Sequence, residues 1–137
     1  MTIKHKFVNP YADPPNATLV KPSNWNDDHN VTQLVSPQTT VTFSSTPTFD
    51  ASLGNSFKLT LTGNVTSSTL SNAIAGQLLT FVIIQDSSGN HSFVWPTNVL
   101  GGVDITNLVS LPNQYVVQQF HYDGTNAQAI TPGMIFP

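Results

Sequence analysis

The chain has 137 residues, 39% of them hydrophobic and only 8% charged, with a formal net charge of -3 and with 17 Thr, 13 Ser, 13 Asn and 8 Gln against no Glu, Arg or Cys. Four lysines are too few to neutralise a row of phosphates, which excludes nucleic acid as a partner, and the missing cysteines exclude disulfides, thiolate zinc sites and thiol nucleophiles. A composition poor in strong helix formers and rich in Thr, Asn, Ser and Pro excludes long surface helices and predicts an all-β fold; with the alternating runs from residue 39 onward the expected architecture is an antiparallel, jelly-roll-like β-sandwich.

Residues 1–38 form the first segment. They hold Lys4, Lys6 and Lys21, the acids Asp13, Asp27 and Asp28, and prolines at 10, 14, 15, 22 and 37, which forbid a regular ladder for most of the length. The reading is an extended N-terminal arm that docks on another surface through anchors such as Tyr11, Val20 and Trp25. Its first six residues are polar with no apolar stretch behind them, so no signal peptide is expected. The longest apolar-rich run of the whole chain, residues 78–84, is strand length, far short of the roughly 20 residues of a membrane span.

Residues 39–137 form the second segment, short alternating runs separated by turn signals. Val41 and Phe43 alternate with Thr40 and Thr42. Phe57, Leu59 and Leu61 alternate with Lys58, Thr60 and Thr62, the clearest strand with one buried face, with Lys58 towards solvent. Residues 67–75 have a helical spacing of Leu70, Ala73 and Ile74, with Gly76 placed to end the turn. Residues 78–85 are apolar on both faces, which predicts a central strand covered on each side. The cluster 86–90 then predicts a hairpin to residues 91–95, stopped by Pro96. A short strand is expected around 103–105, and a second hairpin joins 115–122 to 127–131 across Asp123-Gly124.

Catalytic chemistry finds little purchase. Seven aspartates stand mostly where aspartate serves turns and strand ends, and no serine lies in a Gly-x-Ser-x-Gly elbow. His5, His29, His91 and His121 lack metal-ligand spacing, so no enzyme activity, cofactor or metal is expected. His121 alternates with Gln119 and Val117, where symmetry-related copies could converge on an axis; it reads as a surface or interface histidine. Trp95, Tyr115 and Tyr122 read as core or interface aromatics, with glycan stacking as the alternative role.

The stretch Val20-Lys21-Pro22-Ser23-Asn24-Trp25-Asn26-Asp27-Asp28-His29 resembles an N-terminal signature of tailed-bacteriophage virion proteins, V-[RK]-P-S-x-W-N-x-x-H. Phe57-Lys58-Leu59-Thr60-Leu61-Thr62-Gly63-Asn64, with Phe93-Val94-Trp95-Pro96 and Phe120-His121-Tyr122-Asp123-Gly124 further on, resembles a β-domain that recurs in phage fibre and appendage proteins. The resemblance implies a virion structural protein made in the host bacterial cytoplasm, a capsid decoration, head fibre or spike, or tail-fibre component. The arm would attach it to the major capsid or tail protein through Tyr11, Val20, Pro22, Trp25, Asn26 and His29. The chain ends six residues after Thr131, which favours a short knob or head decoration. A strand surface rich in Thr, Gln and Val (Val116, Val117, Gln118, Gln119) suits packing against copies of itself, and a homotrimer is expected. The alternative is a module that binds a host-surface glycan or receptor through Trp95, Tyr115 or Tyr122.

Overall fold

The computed structural model describes residues 37–137 throughout and, from the preceding segment, the backbone of Thr2–Ile3 and His29–Asn30. Chain contacts divide the protein into two units, Met1–Ser36 and Pro37–Pro137. In the first, β1 (Thr2–Ile3) and β2 (His29–Asn30) pair antiparallel, with Thr2 opposite Asn30 and Ile3 opposite His29.

The second unit is built in chain order from β3 (Gln38–Val41), β4 (Thr48–Asp50), β5 (Ser56–Leu61), β6 (Thr69–Ser71), β7 (Leu78–Gln85), β8 (Val99–Leu100), the single helical turn α1 (Ile105–Leu108), β9 (Tyr115–Tyr122), β10 (Ala127–Ala129) and β11 (Met134–Phe136). It is almost entirely β. Strands β3, β5 and β7 lie side by side and parallel, and β9 runs antiparallel to β7. The other edge of β9 is covered in succession by β10 and β11, and β8 pairs with β10. A second, smaller layer holds β4 parallel to β6.

Parallel pairing replaces the expected antiparallel jelly-roll sandwich. Gln38 lies beside Ser56, Ser56 beside Thr80, and Thr48 beside Thr69, so the chain returns to the same lateral position after 18, 24 and 21 residues. The second layer repeats the pattern through backbone bonds. Thr66 and Thr69 N–H donate to the carbonyls of Ser45 and Pro47 (2.9 and 3.0 Å), and Val65 N–H donates to Ser92 O (2.9 Å). Ser68 Oγ donates to Val94 O (2.6 Å), which brings residues 92–94 alongside the same row. Alternation reports which face of a strand is buried; it is blind to the direction of the neighbour.

Three local expectations change for the same reason. The 86–90 cluster does turn the chain, but into the opposite layer: Asn90 N–H donates to Ser110 O and Asn113 N–H to Asp86 O (2.8 and 2.9 Å), and residues 91–95 never pair with β7. Gly89, at φ +65°, sits so close to Ser110 O that a Cβ would lie 2.6 Å from it. Residues 67–75 are not helical, because Thr69–Ser71 pair with β4 as β6 and Asn72 turns the chain at φ +56°. The strand expected at 103–105 lies earlier, as β8, and Ile105–Leu108 is helical, capped by Asp104 Oδ1 accepting from Asn107 N–H (3.1 Å).

The Asp-Gly hairpin forms between β9 and β10: Asp123 N–H donates to Asn126 O (3.0 Å), and Gly124 takes φ +105°. The core lies between the two layers. Phe57, Leu59 and Leu61 from β5, Leu79, Phe81 and Ile83 from β7, and Val116 and Phe120 from β9 are buried against Phe49, Leu70 and Phe93. Strand β7 is not covered on both faces. Leu78 is 57% exposed and Val82 and Ile84 are half-buried, so its second apolar face is the outside of the sheet.

Candidate functional site

The three aromatic candidates do not converge. Trp95 is half-buried with its ring set among Phe81, Phe93 and Phe120 at centroid distances of 5.4, 5.0 and 5.3 Å. Its Nε1–H donates to Val103 O (2.9 Å), and Gly102 passes so close that a Cβ there would stand 2.5 Å from Nε1. The indole is thus a packed core group with its polar atom satisfied. Tyr115 and Tyr122 occupy the two ends of β9 and, seven residues apart, project from opposite faces. Tyr122 packs against the core, whereas Tyr115 lies on the outer face, stacked on Phe136 at 4.9 Å and 15°.

Every carboxylate of the second unit is engaged by its own turn. Asp50 Oδ1 accepts from Ser52 N–H (3.0 Å), Ser52 Oγ (2.7 Å) and Asn72 Nδ2 (2.9 Å). Asp86 Oδ1 accepts from Ser88 N–H (2.8 Å) and Gly89 N–H (3.1 Å), and lies 3.0 Å from His91 Nε2. Asp104 caps α1, and Asp123 Oδ1 accepts from Thr125 and Asn126 N–H, both at 2.7 Å. Hydrogen bonds to the ionised form hold all four below the ordinary carboxylate range. The leading donors are the Ser52 side chain for Asp50, Ser88 N–H for Asp86, the Asn107 side chain for Asp104 and Asn126 N–H for Asp123.

These depressed values fix a pH dependence. A carboxyl whose folded value lies below its unfolded value adds stability above the unfolded value and loses it as pH falls through the folded one. The melting temperature should therefore gain nothing from these groups between pH 7 and 5 and should fall progressively below about pH 4. Thermal unfolding followed by circular dichroism from pH 7 to pH 2 tests this; a melting temperature that rises on acidification below pH 4 would contradict the assignment of these four aspartates to the turns.

His121 is exposed on the outer face, in register with Leu78 and Gln128. Among the described residues no three His, Asp, Glu or Cys side chains are grouped to hold a metal ion, and no helix is long and apolar enough to cross a membrane. Of the attachment residues, Tyr11, Val20, Pro22, Trp25 and Asn26 lie outside the described residues, and for His29 the structure describes only the backbone in β2.

Two buried amides depart from the sequence expectations: Gln85 is not singled out there, and Gln118, expected with Val116, Val117 and Gln119 on a surface that packs against copies, points inward, as does Val116. Gln85 and Gln118 are 1% and 2% exposed, each on the inner face of a central strand. Gln85 Nε2 donates to His91 O (2.8 Å) and Val109 O (2.6 Å) while its Oε1 accepts from His91 N–H (3.0 Å). Gln118 Nε2 donates to Gly101 O (2.9 Å) and Thr131 O (3.1 Å) while its Oε1 accepts from Val103 N–H (2.8 Å). The signal was present: Gln85 continues the inward series Leu79, Phe81, Ile83, and an amide on a buried face needs backbone partners.

Across the outer face, register aligns side chains into rows. Thr40, Lys58, Val82, Val117 and Met134 form one, and Thr60, Ile84, Tyr115 and Phe136 the next. None of these residues is buried. The two rows carry Lys58 and threonines beside apolar and aromatic side chains, and His121 lies on the same face. Compared with known proteins, the chain matches no protein family, no curated protein and no solved structure.

Proposed function

We propose that the chain is a non-enzymatic structural component of a bacteriophage virion, a capsid decoration, head spike or fibre component, made in the host cytoplasm, anchored by its N-terminal arm and assembled as a homotrimer. Within this reading residues 37–137 are a short β-solenoid: parallel rungs stack in two layers, and the β9–β10 hairpin closes one end. The observation that carries the proposal is the segment Val20-Lys21-Pro22-Ser23 with Trp25-Asn26 and His29, ahead of an all-β unit whose carboxylates all serve turns. Weak charge supports it, because many copies can stand close together on a particle without strong repulsion.

Arm variants of the full chain test the proposal. Trp25→Ala combined with His29→Ala should reduce binding to particles lacking the protein by at least about tenfold, as expected when an aromatic anchor is lost, and should leave the far-ultraviolet circular dichroism unchanged. Undiminished binding by a folded variant would remove the arm from attachment. The alternative function, a glycan- or receptor-binding module, is favoured by the Tyr115–Phe136 stack on the outer face. A glycan array comparing the full chain with Tyr115→Ala would reveal it as binding that the substitution abolishes.

A further inference from the structure

We infer that the open edge of β3 takes up an extended strand of the virion protein that holds the N-terminal arm, so that the particle adds a strand to the large sheet. The inference rests on the virion reading above and names a second contact beside the arm.

The two sides of the large sheet are finished differently. On one side β9 is covered by β10 and β11, and β8 lies beyond β10. On the other, among the described residues, β3 has β5 as its one neighbour, and β4 in the second layer has only β6. Burial follows the same difference along single rows. Phe57 and Phe81 lie in register with Thr39, and Leu59 and Ile83 with Val41. All four are fully buried, whereas Thr39 and Val41 are half-buried, as is Phe43 just beyond β3. Val41 and Phe43 pack against the core without being closed off by it.

The chemistry of an edge names the kind of occupant. A strand with one neighbour aims a row of its N–H and C=O groups outward, and an extended backbone is the partner that meets them in sequence. Natural sheets blunt such edges with lysine, proline, a bulge or an inward charge. Strand β3 has none of these: Gln38-Thr39-Thr40-Val41 holds no charged residue and no proline, pairs with β5 without interruption, and is followed by no charged residue before Asp50. Alternation sets the side chains of the incoming strand. Those on the side of Val41 and Phe43 meet the core and are apolar; those beside Gln38 and Thr40 are polar.

Chain continuity says where that strand comes from. Pro37 alone separates Ser36, the last residue of the first unit, from β3. The nine residues from His29 to Gln38 reach at most roughly 30 Å, so a surface that grips the arm lies within that distance of the edge. Size argues against a second copy. Four residues of strand make an edge about 13 Å long, far short of the roughly 1,200 Å² that holds two free molecules together. On a short tether the same edge suffices, because the second contact then acts at an effective concentration in the millimolar range.

Amide hydrogen exchange on the full chain, free and bound to particles lacking the protein, is the test. In the free chain the outward N–H groups of residues 38–41 should exchange fast, and on the particle they should slow by at least about tenfold, as in a paired strand. Val41→Lys gives an independent readout. Its ammonium reaches water past the open edge of the free chain, leaving the circular dichroism unchanged. An added strand would bury that charge, so particle binding should weaken by at least about tenfold. Thr39→Lys, the neighbouring inward position, should behave alike and guards against a folding defect in the first variant. Unchanged exchange at β3 on the particle, or folded lysine variants that bind undiminished, overturns the edge contact and leaves attachment by the arm standing. Slow exchange of residues 38–41 in the free chain overturns it as well: at every concentration the chain covers its own edge, and at high concentration alone a second copy does. An unmodified chain that fails to bind the particle overturns the virion reading and this contact with it.

Discussion

Replacing Gln85 by leucine should lower the unfolding free energy by about 3–5 kcal/mol, although the new side chain is apolar, similar in size and placed in an apolar core. The amide binds three backbone groups at once: it donates to the carbonyls of His91 and Val109 and accepts from His91 N–H. Each group is left without that partner when the amide goes, and an unsatisfied buried donor or acceptor costs about 1–3 kcal/mol. Leucine gains some transfer free energy in return, which offsets one of the three losses at most. Urea unfolding measures the effect, with Ile83→Val on the same strand as a packing control at about 1 kcal/mol. A Gln85→Leu loss no larger than that control would mean that the bonds contribute little. Gln85→Glu should do no better, because an ionised carboxylate would face two carbonyls and a neutral one could donate to only one of them. Hydrogen exchange gives a local check: His91 N–H should lose protection first.

The position of Gln85 explains why the chain changes layer at this point. A hairpin would have satisfied β7 with residues 91–95. Instead the amide ties His91 and Val109 to the end of β7, so the chain leaves the sheet, crosses into the second layer and returns through α1 to β9. Gln118 does the same on β9 by holding Gly101, Val103 and Thr131. Between them the two amides fasten residues 91–109, a stretch containing only the two-residue β8 and the single turn α1. A segment with so little regular structure must satisfy its backbone groups through side chains.

Strand existence was legible from residue pattern, and strand partnership was not. Phe57, Leu59 and Leu61 announced β5, and Asp123-Gly124 announced the β9–β10 hairpin, because each signal is local: a period of two, or a turn with a residue at positive φ. The parallel rungs depend on contacts 18 to 24 residues apart, and no short window contains them. Leu70 shows how a local signal can mislead. Its spacing to Ala73 and Ile74 suits a helix, yet Thr69 and Ser71 pair with β4, and tertiary pairing outweighs a propensity worth tenths of a kcal/mol per residue. The aromatic candidates fared similarly, since a two-residue period places Phe93 and Trp95 on one face without saying whether that face meets solvent or core. For the attachment residues the sequence motif remains the source of the assignment.

Phe81→Ala should be the most damaging single truncation in the second unit, at about 4–5 kcal/mol, the upper end for a buried phenylalanine. Phe81 joins the two layers. Phe57 and Phe120 flank it within its own sheet at 5.4 Å each, while Phe49 and Trp95 meet it from the other layer at 5.0 and 5.4 Å. Its approaches to Phe49, Trp95 and Phe120 are edge-on, at 71°, 80° and 85°, the arrangement that adds about 0.5–1.5 kcal/mol per pair beyond buried area. Collapse into the vacated space is opposed from both sides, because Phe49 sits on β4, paired to β6, and Trp95 is held by its bond to Val103 O. Phe120→Ala is the discriminating comparison: Phe120 is as deeply buried but, among the described rings, contacts only Phe81 and Trp95. Denaturant unfolding of both variants should show Phe81→Ala the less stable by at least about 1 kcal/mol, roughly one aromatic pair. In a Trp25→Phe background the emission of Trp95 should also shift to the red in Phe81→Ala, as water gains access to the indole. Equal losses for the two truncations would mean that burial alone, and not the bridge between layers, sets the stability of this core.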